Sequence, residues 1–395
     1  MKNIAIFCDG TWNSPTMPEP TSVFRVSQSC ADDDKQVVIY MPGVGVGKLG
    51  STIKTWVNKL AGGAFGWGLA RNVKQAYAEL CRVYEEGDKI YIFGFSRGAY
   101  TARSLAGMIR KCGIIPKEDI GVVKLARAWQ VYKKAGKKNH PDGDIVWPIR
   151  QRLSPNVATS EKDLTRRIAD GNEGGHIVNI AYLGVWDTVG ALGIPEGLVG
   201  PLARLWNWRY KFHDTELSSL VKSARHAVAL DEQRVFYEPS LWNNLTGPDG
   251  LNKGDISETR PYQQVWFIGS HSIVGGSSDS RGLVSYPLSF IADGARDVGL
   301  AIKETPKLPD HDGDALFETK ELTDPGLVYA VAPHLRKWRK GPDDPGSVHW
   351  SVRERARRLA GVYQPDTVKL VLAALLADEM PAAANDDTTP VVRQA

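Results

Sequence analysis

The sequence predicts an α/β fold, in which a mostly parallel β-sheet is flanked by helices. Short, strongly apolar segments alternate along the chain with longer segments in which apolar residues recur at helical spacing. Strands that are apolar along their whole length are typical of parallel sheets, because helices cover both faces of such a sheet.

The predicted strands begin close to the N-terminus, and each ends on a glycine or a polar residue. The first, Ile4–Cys8, breaks at Asp9, and the second, Gln36–Met41, runs into a glycine-rich loop. The other strands are expected at Lys89–Phe93, Ile177–Trp186 and Gln264–Ile268. Helical spacing predicts helices over Trp67–Tyr84, Ala99–Arg110, Ile120–Ala135, Glu216–Leu230, 286–302, a segment from Val352, and Asp366–Met380.

We predict a single domain over residues 1–380 that carries a helical insertion and a possible lid, followed by a C-terminal tail. Residues 116–175 lack clear strand signals and are interpreted as a helical insertion. Residues 190–213 mix apolar residues with tryptophan and arginine, which suits either a lid at a lipid–water interface or ordinary core packing. Residues 381–395 are rich in alanine, aspartate and threonine and are expected to be disordered.

The most informative motif is G-F-S-R-G at residues 94–98, between a predicted strand and a predicted helix. G-x-S-x-G in a strand–turn–helix context is the nucleophile elbow of α/β-hydrolases. A serine on such a turn needs small neighbours, because the flanking backbone crowds its Cβ. The motif predicts a nucleophilic Ser96, and the alternative is a tight turn with only a structural role.

An acid and a base follow Ser96 in the chain, each at the end of a predicted strand. These are Asp187 and His271, and Ser, Asp, His is the order of the α/β-hydrolase triad. The carboxyl ends of parallel strands share one edge of the sheet, so the three residues are expected to meet there. We predict that His271 is the general base and that Asp187 orients its imidazole. Asp231 is the main alternative acid.

The oxyanion of the tetrahedral intermediate needs two positioned donors. The backbone N–H of Arg97 is the first predicted donor, because this residue follows the nucleophile directly. The second is expected from Gly10 or Thr11, after the first strand. Asp9 is expected to stabilise that loop by bonds to its own backbone.

Composition narrows the function further. The chain has 395 residues, of which 42% are hydrophobic and 24% charged, and its net charge of +4 does not suggest a nucleic-acid partner. Four cysteines without C-x-x-C spacing favour a reducing compartment. Scattered histidines and the lack of a phosphate-binding glycine motif in register predict neither a metal nor a cofactor. The apolar N-terminal segment is too short for a signal peptide, and no apolar run is long enough to span a membrane.

Five ordered motifs make the chain resemble a family of α/β-hydrolase domains that includes the Tle-type phospholipase effectors of type VI secretion. The resemblance runs from Ile4 to about residue 300. The motifs are F-C-D-G-T-W-N from Phe7, the run Gly87–Arg103, G-V-W-D-T-V-G from Gly184, H-A-V-A-L-D-E from His226, and V-W-F-I-G-S-H-S-I-V-G-G from Val265.

The resemblance implies ester hydrolysis by Ser96, Asp187 and His271, with phospholipids as the substrate class. The chain departs from the family pattern at two positions. Ile273 stands where the family has an aspartate two residues after the histidine, and Ser277 replaces the third glycine of the following run.

The sequence as a whole therefore predicts a serine hydrolase that cleaves carboxylic esters, phospholipids first, through an acyl-enzyme. An esterase for small soluble esters and a non-catalytic binding module of the same fold are the alternatives. The expected partners are the ester or phospholipid substrate, the surface of a membrane, and a secretion-system or immunity protein. The expected location is the cytoplasm, or outside the cell after export as an effector without a signal peptide.

Overall fold

The computed structural model describes residues 1–10, 17–43, 64–172, 175–190, 216–234, 237–303, 316 and 341–377. The strands are β1 (Asn3–Cys8), β2 (Gln36–Met41), β3 (Lys89–Phe95), β4 (Val157–Ala158), β5 (His176–Ile177), β6 (Asn179–Trp186), β7 (Ala224–Ala229) and β8 (Tyr262–Phe267). Six of them form one sheet in the order β2-β1-β3-β6-β7-β8, and every pair of neighbours is parallel. The two-residue strands β4 and β5 pair separately.

The described residues also form ten α-helices. They are α1 (Ser22–Ser29), α2 (Ala64–Val83), α3 (Arg97–Cys112), α4 (Val122–Tyr132), α5 (Trp147–Leu153), α6 (Glu161–Ala169), α7 (His271–Gly275), α8 (Arg281–Asp297), α9 (Trp350–Arg358) and α10 (Leu372–Leu376). Short 3₁₀ turns lie at Lys117–Asp119, Lys137–Asn139, Pro345–Ser347 and Asp366–Val368. None of the helices within the described ranges is both long enough and apolar enough to cross a membrane.

The sheet is buried on both faces, as its uninterrupted apolar strands require. Alternate residues of β1 point to opposite sides: Ile4 and Ile6 pack with α2 and α3, whereas Ala5 and Phe7 pack with α1 and α8. The predicted α/β class, a mostly parallel sheet flanked by helices, is therefore confirmed.

The predicted helix over Glu216–Leu230 is wrong. Residues Ala224–Ala229 form β7, which lies between β6 and β8 and pairs with both. The segment is rich in alanine and leucine and suits a helix by intrinsic preference, but burial between two neighbouring strands decides its conformation. The predicted helix at 286–302 instead spans Arg281–Asp297, and the one at Asp366–Met380 is reduced to a 3₁₀ turn and α10, with 378–380 outside the described residues.

The order of the strands locates the site. The chain passes from β1 to β2 on one side and then returns to β3 on the other side of β1. In an open parallel sheet, ligands bind at such a reversal, in the crevice outside the carboxyl ends of the strands. Gly10 and Ser96 follow the carboxyl ends of β1 and β3 and so lie at this edge.

Candidate active site

Ser96 occupies a strained turn between β3 and α3. Its backbone has φ 58° and ψ −121°, a region that residues with a Cβ rarely adopt. The two flanking glycines make the turn sterically feasible. A Cβ on Gly94 would lie 2.4 Å from the carbonyl oxygen of Gly98, and one on Gly98 would lie 2.0 Å from that of Cys8. The G-x-S-x-G pattern thus reflects backbone segments in direct contact at the crevice.

The three residues predicted as a triad meet at this turn. His271 Nε2 lies 2.8 Å from Ser96 Oγ, and His271 Nδ1 lies 2.6 Å from Asp187 Oδ2. An ionised carboxylate can only accept, so Nδ1 carries the proton and Nε2 accepts the hydrogen bond from the serine hydroxyl. This is the tautomer that a general base at Ser96 requires. All three side chains are buried.

The carboxylate of Asp187 is fixed on both oxygens. Asp187 follows β6 with a positive φ of 33°, and its backbone N–H donates to the carbonyl of Ala227 at 2.7 Å. Its Oδ1 accepts the N–H of Ala229 at 3.0 Å, which leaves Oδ2 for the imidazole. The neighbouring strand β7 therefore sets the direction from which Asp187 meets His271.

Asp231, the alternative acid, is engaged elsewhere in this arrangement. Its Oδ2 accepts the backbone N–H of Gly269 at 2.6 Å, and both of its oxygens accept the hydroxyl of Tyr363. Burial raises the pKa of the Asp231 carboxyl. Asp231 thus holds the turn that precedes His271, while Asp187 holds the ring.

The predicted oxyanion donors are placed only in part. The N–H of Gly10 donates to its neighbour Asp9 Oδ1 at 2.7 Å and is used within its own turn in this conformation. Thr11 lies outside the described residues. Arg97 is the first residue of α3, and N–H groups in the first turn of a helix point toward the space in front of it.

Asp9 bonds to the backbone directly after β1, at Gly10, whereas residues 11–16 of the predicted loop lie outside the described residues. Besides its bond to Gly10, its Oδ2 accepts the hydroxyls of Thr21 and Tyr40 at 2.8 and 2.7 Å. The carboxylate therefore ties the end of β1 to α1 and β2.

Aromatic rings against the imidazole are a feature that sequence reasoning missed. The rings of Phe95 and Tyr237 lie with their centroids 4.6 and 4.5 Å from that of His271. Gly275 is needed beside Phe95, because a Cβ there would be 2.0 Å from the ring. The one sequence signal for Phe95 was its place as the first variable position of the G-x-S-x-G motif.

His226 is a second buried histidine, and it supports the turn at Asp187. Its Nε2 accepts the N–H of Thr188 at 3.2 Å, and Nδ1 lies 3.0 Å from Gln264 Oε1. Burial, together with the charge of Arg103, lowers the pKa of His226 to about 3, so it is neutral at physiological pH.

Ile273, which stands at the family's aspartate position, is an apolar core residue here. It is buried in a cluster that includes Leu230, Ile268 and Leu283, and it packs under Gly269. The departure is thus accommodated by apolar packing next to the histidine.

The predicted lid and tail lie almost entirely outside the described residues, at 191–213 and 381–395. Across the described ranges, no group of three or more His, Cys, Asp or Glu side chains is arranged to hold a metal ion.

The fold and the elbow together define the class of protein as an α/β-hydrolase type. Comparison with known families narrows the class. The family model described as type VI secretion system phospholipase effector Tle1-like, catalytic domain, matches residues 2–294. The chain belongs to this family, as the five motifs predicted.

The sequence identity to individual known proteins is low. An uncharacterized protein of Saccharomyces cerevisiae is 29% identical over 332 residues, which are 82% of this chain and 44% of that protein. An uncharacterized protein from Pseudomonas aeruginosa, known from its crystal structure, is 16% identical in sequence and superposes with a TM-score of 0.41. The match covers 96% of this chain and 56% of that protein. A Tle1 effector bound to the VgrG spike is 16% identical with a TM-score of 0.32, covering 70% and 51%. The chain spans about half the length of the proteins it matches.

Proposed function

We propose that this protein is a serine hydrolase that cleaves carboxylic esters of phospholipids through an acyl-enzyme on Ser96. The observation that carries the proposal is the continuous hydrogen-bonded chain from Ser96 Oγ through His271 to Asp187, with separations of 2.8 and 2.6 Å. Membership of a phospholipase effector family supports phospholipid as the ester.

Each residue of the site has a distinct role in the proposed reaction. His271 Nε2 takes the proton of the Ser96 hydroxyl as the oxygen attacks the ester carbonyl, and it returns that proton to the leaving alcohol. Asp187 keeps Nδ1 protonated and stabilises the imidazolium that forms. The N–H of Arg97 is the proposed first donor to the oxyanion. A water molecule, deprotonated by His271, then attacks the carbonyl of the acyl-enzyme. The carboxylic acid leaves, and His271 returns the proton to Ser96 Oγ.

A fluorophosphonate probe tests the nucleophile. Wild type is expected to become labelled on Ser96, and Ser96→Ala is expected to remain unlabelled. Equal labelling of the two proteins would refute the proposed nucleophile. Ser104→Ala is a matched control, since Ser104 is also a buried serine but lies within α3, eight residues after Ser96.

Substrate class needs a separate assay. Release of fatty acid from phosphatidylglycerol and phosphatidylethanolamine vesicles is compared with hydrolysis of a short-chain soluble ester. Fatty acid from vesicles supports the phospholipase proposal. If the protein cleaves only the soluble ester, the phospholipase proposal is wrong and the protein is an esterase. If it is labelled but cleaves neither substrate, both ester classes are wrong, and the reactivity of Ser96 alone is supported.

Delivery by a secretion system is the remaining part of the proposal. The family is described as type VI secretion effectors, and one Tle1 effector has been solved bound to a VgrG spike. We propose that this chain acts as such a cargo. Co-purification with a VgrG protein of the same genome is the expected result, and secretion that continues without any type VI apparatus would contradict it.

A further inference from the structure

Glu232 is a buried carboxylate beside the triad, and the reaction described above does not use it. Its side chain is 0% exposed. Oε2 accepts the backbone N–H of His271 at 3.1 Å and an N–H of the Arg234 guanidinium at 2.7 Å. Oε1 accepts the backbone N–H and Nε–H of Arg234, both at 2.8 Å. A carboxylate buried this deeply is costly unless its oxygens are satisfied, and here both are.

The first route from Glu232 to the histidine is through the backbone. His271 is the first residue of α7, and the residue before it, Ser270, makes no side-chain capping bond. Glu232 supplies the missing acceptor at this helix end. The adjacent Asp231 accepts the N–H of Gly269, so two consecutive carboxylates hold both ends of the short turn that presents the imidazole.

The second route reaches the ring itself. The guanidinium that Glu232 binds lies over the ring of Tyr237, with Arg234 Cζ 4.2 Å from the ring centroid. Tyr237 in turn packs against the imidazole at 4.5 Å. Glu232 therefore constrains both the main chain and the ring of His271, the latter through Arg234 and Tyr237.

We infer that Glu232 is a positioning residue for the proposed base, acting with Arg234 to keep His271 Nε2 directed at Ser96. The inference rests on the proposed function. The contacts of Glu232 described above lead to the histidine, so we assign its effect to the placement of that residue. A misplacement of about 1 Å at a reacting group can cost on the order of 100-fold in rate, so loss of this constraint is expected to lower turnover by about 10- to 100-fold.

The test compares Glu232→Gln with a matched control. The control, Asp88→Asn, also replaces a buried carboxylate. Asp88 accepts the backbone N–H groups of Lys2 and Glu85 and the ammonium group of Lys2. It lies at the amino end of β3, which is the edge of the sheet opposite to the triad. The readouts are the rate of fluorophosphonate labelling, kcat and KM on a soluble ester, and the melting temperature.

Glu232→Gln is expected to lower the labelling rate and kcat by about 10- to 100-fold with KM nearly unchanged, because the base is misdirected while the substrate site is intact. Asp88→Asn is expected to stay within about threefold of wild type. If Glu232→Gln does not fold, Arg234→Met carries the test, since the Arg234 side chain is 16% exposed and its loss breaks the second route, through Tyr237 to the imidazole ring.

Three results would overturn the inference. Wild-type labelling rates in both Glu232→Gln and Arg234→Met would refute it while leaving the proposed function in place. An equal loss of rate in Asp88→Asn, in step with melting temperature, would show a general effect of destabilisation. Absence of labelling in wild type would refute the proposed function and this inference together.

Discussion

The elbow geometry predicts that Gly98→Ala removes most of the activity without touching the triad. The added Cβ would lie 2.0 Å from the carbonyl oxygen of Cys8 and 2.6 Å from that of Asp9, and both atoms belong to the main chain. Ordinary contact begins near 3.4 Å, so the start of α3 and the end of β1 must separate by roughly 1.4 Å. Such overpacking costs about 1–3 kcal/mol of stability.

The displacement falls two residues after Ser96 and directly after Arg97, where the proposed nucleophile and oxyanion donor lie. A shift of about 1 Å costs on the order of 100-fold in rate, and we expect a loss of at least that size in kcat/KM. The assay is ester hydrolysis together with fluorophosphonate labelling, each compared with the free energy of unfolding from urea titration. Labelling distinguishes a misplaced serine from an unfolded chain.

Gly121→Ala is the control for this substitution. Gly121 has an extended backbone with φ −154°, and nothing lies within 4 Å of the position that a Cβ would take. We expect wild-type activity and a change in stability of less than about 1 kcal/mol. The reasoning would be refuted if Gly98→Ala folded stably and labelled at the rate of Gly121→Ala.

Two further predictions concern the acid and the pH dependence of stability. Asp187→Asn is expected to lower kcat by about 10⁴-fold, because the imidazole tautomer is no longer fixed. Asp231→Asn is expected to cost no more than about 100-fold, because Asp231 holds only the turn before His271. Steady-state kinetics that reverse this order would refute the choice of acid. The pKa of His226 is lowered from 6.5 to about 3 in the folded protein, so the unfolded chain binds the extra proton and stability falls as pH drops from about 6.5 toward 3, by up to about 1.4 kcal/mol per pH unit. His226→Asn should reduce the slope of the unfolding free energy against pH by up to about 1.4 kcal/mol per pH unit in this range, and a slope equal to that of wild type would contradict the prediction.

Much of the fold was predictable because the strands are buried on both faces. Continuous apolar runs such as Ile4–Cys8 and Gln36–Met41 leave few other conformations, and both predicted strands agree with β1 and β2 to within a residue. β7 was not predictable in the same way. Its residues have no strong strand preference, and only pairing with β6 and β8, which are distant in sequence, makes it a strand.

The candidate site was likewise predictable from the sequence only in part. That Ser96, Asp187 and His271 lie close together could be predicted because each follows an apolar strand, and the parallel sheet brings such strand ends to one edge. The sequence alone left Asp187 and Asp231 as rival acids, since both follow apolar segments. The backbone at Asp187, with φ 33° and a bond from Ala229, turns one carboxylate toward the imidazole, and Tyr363 and Gly269 hold the other away from it.

The sequence by itself determined the α/β class, the elbow and the identity of the three triad candidates, because these depend on local residue patterns and on the common edge of a parallel sheet. The tertiary structure decided which acid meets His271 and which groups hold that histidine in place. Those outcomes depend on contacts between segments far apart in the chain, such as Glu232 with the N–H of His271, and no local pattern encodes them.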